Sequence, residues 1–512
     1  MTRADRVVLA VDLGTGGPKV GFVSLNGTVL WSDHIAVTSE YGPGGAAVQD
    51  ASRWWEIICD ATRRGLADSG VRGEQVAAVS ITGQWASTVP VGVDGRPVGP
   101  CVMWMDTRGA PYSRKAFGGP VAGYRPRVLL SWLRRNGGIP SPSGDDPVGH
   151  MLYLQHGDPA VFAKTRWLLE PVDYLTMCFT GRPAASRASM IGSWLTDNRK
   201  LAVLDYDDVL VRRSGVDRTK LPPLVPTGSI VGPVTPAVAA ELGISPAAQV
   251  VTGTTDMHAA AVGAGAIRPG ELHLAISTTS WISAPMTSKK TDALHQLATV
   301  AGLDPSSYLL VDMQDTAGRA LEWLRDTLFS DLDYDALTAL AAGAPAGSNG
   351  VIFTPWLKGE RSPIDDRHAR GGFHNLSLAT TRGDLVRAVL EGVAYNSRWL
   401  LQFVDRFAPN AGAVRIIGGG ARSDLWCQII ADVTGRTCER VADPLNAQLR
   451  GAALFAGIGM GELQRDELRD LIPLDGVFEP LADNRTTYDR LFAEFARLYK
   501  TQKGMFARLN RG

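Results

Sequence analysis

The stretch "RVVLAVDLGTGGPKVGFVSL", Arg6–Leu25, decides the fold. A continuous apolar run ends at Asp12, a Gly-rich turn follows, and a second apolar run starts at Val20. The next turn is Asn26-Gly27, and "TVLWSDHIAV" continues from Thr28. Asn-Gly between apolar runs signals a tight hairpin, because both residues accept the left-handed backbone of such a turn. Three antiparallel strands are therefore expected at the start of the chain. A dinucleotide-binding unit would place a helix after the first glycine loop, and here an apolar strand follows instead.

A similar pattern returns past mid-chain in "ELHLAISTTSWISAPM", Glu271–Met286: a strand, a Thr/Ser-rich turn and a second strand. Two halves that each open on a polar-turn hairpin point to duplicated α/β domains facing one another across a cleft. The 512 residues are too many for one ordinary core and suit two large domains. Six prolines between Pro222 and Pro246 forbid a long helix or a central strand there. The boundary is expected just after them, giving domains 1–248 and 249–512. Trp54, Trp55, Ile58 and Ala61 recur at helical spacing within a helix expected over Ala51–Ser69. Residues 111–200 read as mainly helical, and "TRGDLVRAVLEGVAYNSRWLLQFV" reads as a strong amphipathic helix.

Lys plus Arg and Asp plus Glu both number 52, so no global field favours nucleic acid or an anionic membrane. Any anion must be held by local groups. No segment approaches the ~18 apolar residues of a spanning helix, and the N-terminal apolar run is too short for a signal core. The five cysteines (Cys59, Cys101, Cys178, Cys427, Cys438) form no CxxC pair. Reduced thiols in a cytoplasmic protein are expected, with no metal held by them.

"DLGTGGPK", Asp12–Lys19, gathers an acid, glycines, a threonine and a lysine. Bare glycine backbone at Gly14 lets N–H groups approach phosphate oxygens, and Thr15 and Lys19 add donors. Asp12 suits a Mg²⁺ ion that keeps much of its water. The alternative is a hairpin turn that simply needs glycine. The loop lacks the GK[ST] ending of a Walker A motif. "IIGGGARS" places Gly418, Gly419 and Gly420 between a strand and a helix, where a flat ligand can lie against backbone or where a connection is simply tight. Gln84 and Trp85 in "GQWASTV", and Trp104 and Asp106 in "MWMDTR", combine rings with polar groups near strand ends. That mixture suits a hydroxylated ligand, against the plainer reading of core packing. Asp256 stands alone among small residues in "VTGTTDMHAAAVGAG"; a helix N-cap is its plainest role.

Taken in order, these segments resemble the FGGY family of carbohydrate kinases, in its xylulokinase-like branch. "DLGTGGPK" resembles the first phosphate loop, and "WMDTR" and "PVDYLTMCFTG" resemble landmarks of the first domain. "LPPLVPTGSIVGPVTPAVAAELGI" resembles the interdomain segment, and "GTTDMHAAAVGAG" the segment of the catalytic aspartate. "FTPWLKGERSP", "ARGGFHNLSLATTRGDLVRAVLEGVAYNSR" and "IIGGGARSDLWCQIIADVTG" resemble the signature and adenosine loop of the second domain. The resemblance implies an actin/hexokinase-type, ribonuclease H-like pair of domains. It implies ATP and Mg²⁺ and a small-molecule sugar or polyol substrate, and it leaves room for a homodimer. Asp256 becomes the general base, Asp12 the metal-side acid, and Thr278 and Thr279 the second phosphate loop. Gln84, Trp85, Trp104 and Asp106 become the sugar side.

The sequence also departs from the family pattern. Trp85-Ala86 stand where xylulokinases usually carry Met-His, and Met257 stands where a polar amide usually follows the aspartate. D-xylulose is therefore expected to be disfavoured. Thr278 replaces a glycine, Gly16 replaces a hydroxyl residue, and Asn375 replaces a glycine of the signature. A catalytically weak sugar- or nucleotide-binding protein with the same clamshell is the alternative these changes raise.

Overall fold

A computed structural model describes residues 2–292, 295, 297–304, 306–409 and 412–510. The opening stretch forms strands β1 (Val7–Gly14), β2 (Gly17–Ser24) and β3 (Val29–His34), paired antiparallel in that order. Helix α1 (Ala51–Ser69) follows with the expected bounds, and Asp50 caps it by accepting from the Ser52 N–H. Strand β4 (Val76–Gly83) then lies parallel to β1 on the side away from β2.

The helical stretch holds Ala110–Phe117, Pro126–Arg135, Pro147–Gly157, Pro159–Lys164 and α2 (Pro171–Thr180). Four of the five begin on proline, whose missing N–H has no intrahelical partner to lose at a first position. The proline-rich segment gives only two short strands, Leu224–Val225 and β5 (Ile230–Pro233), and one short helix.

The first sheet extends past residue 248. Strands β6 (Gln249–Val251) and β7 (Thr254–Thr255) both pair parallel with β4, so the first sheet runs β5-β6-β4-β1-β2-β3 with β7 added on β4. The chain leaves this sheet only at helix α3 (Asp256–Ala264). Prolines mark where strands stop, but they carry no information on which sheet the next strand joins.

The second sheet repeats the plan. Strands β8 (Leu272–Ile276) and β9 (Ser280–Met286) form its opening hairpin. Strands β10 (Thr291–Asp292), β11 (Leu297–Ala301) and β12 (Tyr308–Gln314) extend it on one side. After α4 (Gly318–Leu328) and the long α5 (Arg382–Val404), strand β13 (Val414–Ile417) pairs parallel with β8. Helix α6 (Asp424–Thr434), β14 (Cys438–Val441), α7 (Ala447–Gly459) and β15 (Leu474–Phe478) follow. The order is β10-β11-β12-β9-β8-β13-β14-β15. Thus β4-β1-β2-β3 and β13-β8-β9-β12 share one pattern: a parallel neighbour, then an antiparallel meander. This is the duplicated two-domain plan the two hairpins imply and the actin-like fold the family resemblance implies.

The halves meet through helices α3 and α7, and α7 also packs on the first sheet. A Cβ on Gly263 of α3 would lie 1.8 Å from the Ala447 carbonyl, and one on Gly451 of α7 would lie 1.8 Å from that of Ala259. Only glycine lets these backbones approach so closely. Leu449, Ala452, Ala453 and Ala456 of α7 bury against Val8, Ala10, Val23 and Ala78 of the first sheet. Asn375 has φ 64, and its side chain donates to the Gly350 carbonyl at 3.0 Å. Asparagine is among the residues that tolerate this backbone, which explains its place at a glycine position.

Candidate active site

Asp256 is the first residue of α3, not its cap. Thr255 holds the cap position without a side-chain capping bond. Its hydroxyl instead meets His258 Nδ1 at 2.8 Å, while His258 Nε2 meets the Ala301 carbonyl at 2.9 Å. A carbonyl only accepts, so Nε2 carries the hydrogen and Nδ1 accepts from Thr255. Burial holds this ring neutral, with its pKa lowered to about 4. Asp256 Oδ1 accepts from the Met257 N–H at 2.8 Å. Burial and then the nearby Asp12 charge push its pKa up to about 7.

Asp12 lies on β1 opposite Lys19 of β2 and Thr82 of β4. Burial raises its carboxyl to about 6, opposed by the Lys19 charge. Lys19 Nζ donates to the Leu445 carbonyl at 2.5 Å and so reaches from the first domain to the segment before α7. Gly14 has only the Gly17 carbonyl near its Cβ position, at 3.6 Å, and Gly16 has nothing within 4 Å. Their backbone is open to a ligand.

The Thr15 hydroxyl is turned to the sugar-side residues. It receives Trp104 Nε1–H at 3.0 Å and donates to Gln84 Oε1 at 3.2 Å. Trp104 is 36% exposed, enough to cover a ligand. Trp85 packs against Met257 and Ala261 of α3 and meets the Trp194 ring edge-on at 6.3 Å. Ala86 and Trp194 both have left-handed backbone, φ 63 and 54. Such strain persists only where surroundings hold it, and it gathers at ligand sites.

Asp106 does not offer its carboxylate to the cleft. It is fully buried and accepts from Arg108 Nε, Nη2 and N–H and from the Ala47 N–H. These bonds tie it to Arg108 and to Ala47, and a sugar hydroxyl would have to displace them. Two acids escape the sequence reading. Glu170 accepts from the Ser87 N–H at 3.3 Å behind the Trp85 loop, and Asp173 follows on α2; burial keeps both well above the usual carboxylate range. Trp194 gives no sequence signal, since its ring becomes relevant only through the fold.

On the facing domain, Thr278 is exposed and Thr279 half-buried in the β8–β9 turn. The carbonyls of Ser277 and Thr278 accept the N–H groups of Gly318 (2.7 Å) and Arg319 (3.2 Å) at the start of α4. The glycine triplet divides by role. Gly418 has φ +91 and would set a Cβ 2.5 Å from the Ile276 carbonyl, and Gly420 would meet the Ile276 side chain at 2.4 Å. Gly419 has only Leu445 Cδ2 near it, at 3.9 Å, so it alone presents open backbone. Both loops lean on Ile276, the last residue of β8.

The two-sheet plan and this facing pair of loops agree with the comparisons. The N-terminal domain model of the FGGY family of carbohydrate kinases matches residues 7–263, and the C-terminal domain model matches 272–460. The chain belongs to the FGGY family of carbohydrate kinases. As a member of that family it is a phosphotransferase that uses ATP as phosphate donor and acts on small-molecule sugars. It is 28% identical over 511 residues to a xylulose kinase of Staphylococcus epidermidis, covering 98% of each chain. It is 24% identical over 532 residues to a gluconokinase of Bacillus subtilis, covering 99% of this chain and 98% of that protein. Its fold matches the ligand-bound xylulose kinase of Lactobacillus acidophilus with TM-score 0.85 at 23% identity, over 99% of this chain and 100% of that one. Among the described residues, no helix is long and apolar enough to cross a membrane.

Proposed function

We propose that this FGGY kinase transfers the γ-phosphoryl group of ATP to one hydroxyl of a sugar or polyol, with Asp256 as general base. The observation that carries the reading is Asp256 itself: a half-buried carboxylate on the first turn of α3, raised to about 7. A base tuned close to the operating pH takes a proton well without being protonated beforehand. The acceptor O–H proton passes to Asp256, the acceptor oxygen bonds to phosphorus, and the bond from phosphorus to the bridging oxygen of ADP breaks. Positioning and charge stabilisation dominate such a transfer.

The donor set fits a magnesium ion. Asp12 and Asp256 sit close enough for one charge to raise the other's pKa, and a divalent ion relieves that repulsion. Mg²⁺ characteristically binds one or two carboxylates, waters and substrate phosphates. Among the described residues no group of three or more His, Cys, Asp or Glu gathers as an all-protein metal site. When bound, the ion supplies neutralisation of phosphate charge. Lys19 stands across from Asp12 with a further cation, and the open backbone at Gly14, Gly16 and Gly419 accommodates phosphates and the adenosine moiety.

The sugar is not D-xylulose in this reading, because Trp85 and Met257 form an apolar wall on α3 and the β4 loop. A buried hydroxyl left without a partner there costs ~1–3 kcal/mol. The test is a coupled ADP-release screen over pentuloses, hexuloses, tetritols, glycerol and gluconate. ADP release that depends on one acceptor class supports the kinase. Sugar binding without ADP release, at saturating ATP and Mg²⁺, favours the binding-protein alternative.

A further inference from the structure

Thr15 lies in the glycine loop on which phosphates are expected, yet its hydroxyl is committed elsewhere. Trp104 Nε1–H reaches Thr15 Oγ1 at 3.0 Å. An indole nitrogen only donates, so the threonine oxygen must accept here. Its single hydrogen is then left for Gln84 Oε1, 3.2 Å away. The main chain of Thr15 is pinned as well. Its carbonyl accepts from Gln49 Nε2 at 2.8 Å, and Gln49 Oε1 accepts from Trp54 Nε1 at 3.0 Å. Gln49 Nε2 also donates to Ser39 Oγ at 2.8 Å, so the main chain of the loop is held at this point.

In the structure the Gln84 amide is oriented to match. Its oxygen faces Thr15, so Nε2 faces away from it. Gln84 is 4% exposed, and its Nε2 has no hydrogen-bond partner in the protein. A buried donor without a partner is costly, and native proteins seldom keep one without a use. The backbone places this amide at the centre of the site. Gln84 N–H donates to the Leu13 carbonyl next to Asp12, and Gly83 pairs with Thr255 next to Asp256.

We infer that Thr15 is a positioning residue for the acceptor substrate rather than a side-chain ligand of phosphate. Trp104, Thr15 and Gln84 form a one-way relay that presents the Gln84 NH₂ group to an oxygen lone pair of the sugar or polyol. The relay rests on the kinase reading for the identity of the acceptor, but not for the direction of its bonds. It favours an acceptor with a carbonyl or hydroxyl oxygen beside the reacting hydroxyl.

The test separates the two sites that Thr15 could serve. Thr15→Val removes the hydroxyl with little change of shape, and Thr15→Ser restores it. KM is measured separately for ATP and for the best acceptor of the screen. Acceptor affinity without ATP is read from tryptophan fluorescence, since Trp85 and Trp104 flank the site. Thr15→Val is expected to weaken the acceptor at least tenfold in KM and in equilibrium binding, with KM for ATP within about twofold and an unchanged melting curve. Thr15→Ser is expected to recover most of the acceptor affinity. In Gln84→Glu, which cannot donate, adding Thr15→Val is expected to cause no further loss. A rise in KM for ATP with unchanged acceptor binding would overturn the inference, as would a full additional loss in the double variant. Acceptor binding that Thr15→Val weakens, together with no ADP release from the unmodified protein, would sink the kinase reading and leave the relay standing.

Discussion

Asp256→Asn should slow the enzyme and stabilise the protein at the same time, and the second effect should depend on pH. The folded-state pKa near 7 lies about three above the ordinary 3.8, first through burial and then through Asp12. The sign follows from proton counting. Between these values the native state holds a proton that the unfolded chain has released, so stability falls as pH rises. The contribution of this group is intact below about pH 4 and is lost by about pH 7. At ~1.4 kcal/mol for each pH unit the ceiling is ~4 kcal/mol. The side chain keeps some exposure to the cleft, and solvent screening reduces this to about 1–2 kcal/mol. Asparagine carries no charge and can still accept the Met257 N–H. The variant should therefore melt roughly 2–6 °C higher than the unmodified protein at pH 8, and nearly together with it at pH 4.5. Turnover should drop by roughly 10²–10⁴, the usual contribution of a general acid–base group. Scanning calorimetry at the two pH values and ADP release at pH 8 read both effects. An equal melting difference at both pH values would refute the buried-charge argument, and near-normal turnover would remove Asp256 from the chemistry.

Asp12→Ala should abolish Mg²⁺-dependent turnover while the fold persists. Any residual acid limb of kcat/KM, set by Asp256 near pH 7 in the unmodified enzyme, should move to lower pH once the Asp12 charge is gone. Unchanged specific activity with a lowered melting temperature would make Asp12 a turn residue only. Gly419→Ala should melt normally and raise KM for ATP, whereas Gly418→Ala should yield a destabilised protein, because its Cβ would meet the Ile276 carbonyl at 2.5 Å; equal melting of the two would contradict that division. D-xylulose should be a poor substrate, and changing Trp85-Ala86 to Met-His together with Met257→Asn should raise its kcat/KM relative to the preferred acceptor. A kcat/KM of ~10⁴ M⁻¹s⁻¹ or more for D-xylulose on the unmodified protein, within the ordinary enzyme range, would show that these residues do not set specificity.

The fold was legible where local chemistry specifies it. Asn26-Gly27 and the glycines after Asp12 define the first meander, and the Thr/Ser turn after Ile276 defines its copy. Partners distant in sequence were not legible. Gln249–Val251 joins the first sheet because β4 offers it a parallel edge, which no reading of the prolines before it could reveal. The same limit governs the site. Asp12, Asp256 and the glycine triplet could be named from residue type and order, but the direction of each side chain could not. Asp106 looked like a sugar ligand, although Arg108 two residues later was in view in "WMDTR" and is the partner that occupies it. Asp256 looked like a cap, and it is Thr255 that holds that position while giving its hydroxyl to His258. Thr15 is expected among the phosphate donors, and in the structure its hydroxyl lies between Trp104, 89 residues away, and Gln84. These placements have one cause: a short polar side chain has several acceptable partners, and the long-range fold chooses among them.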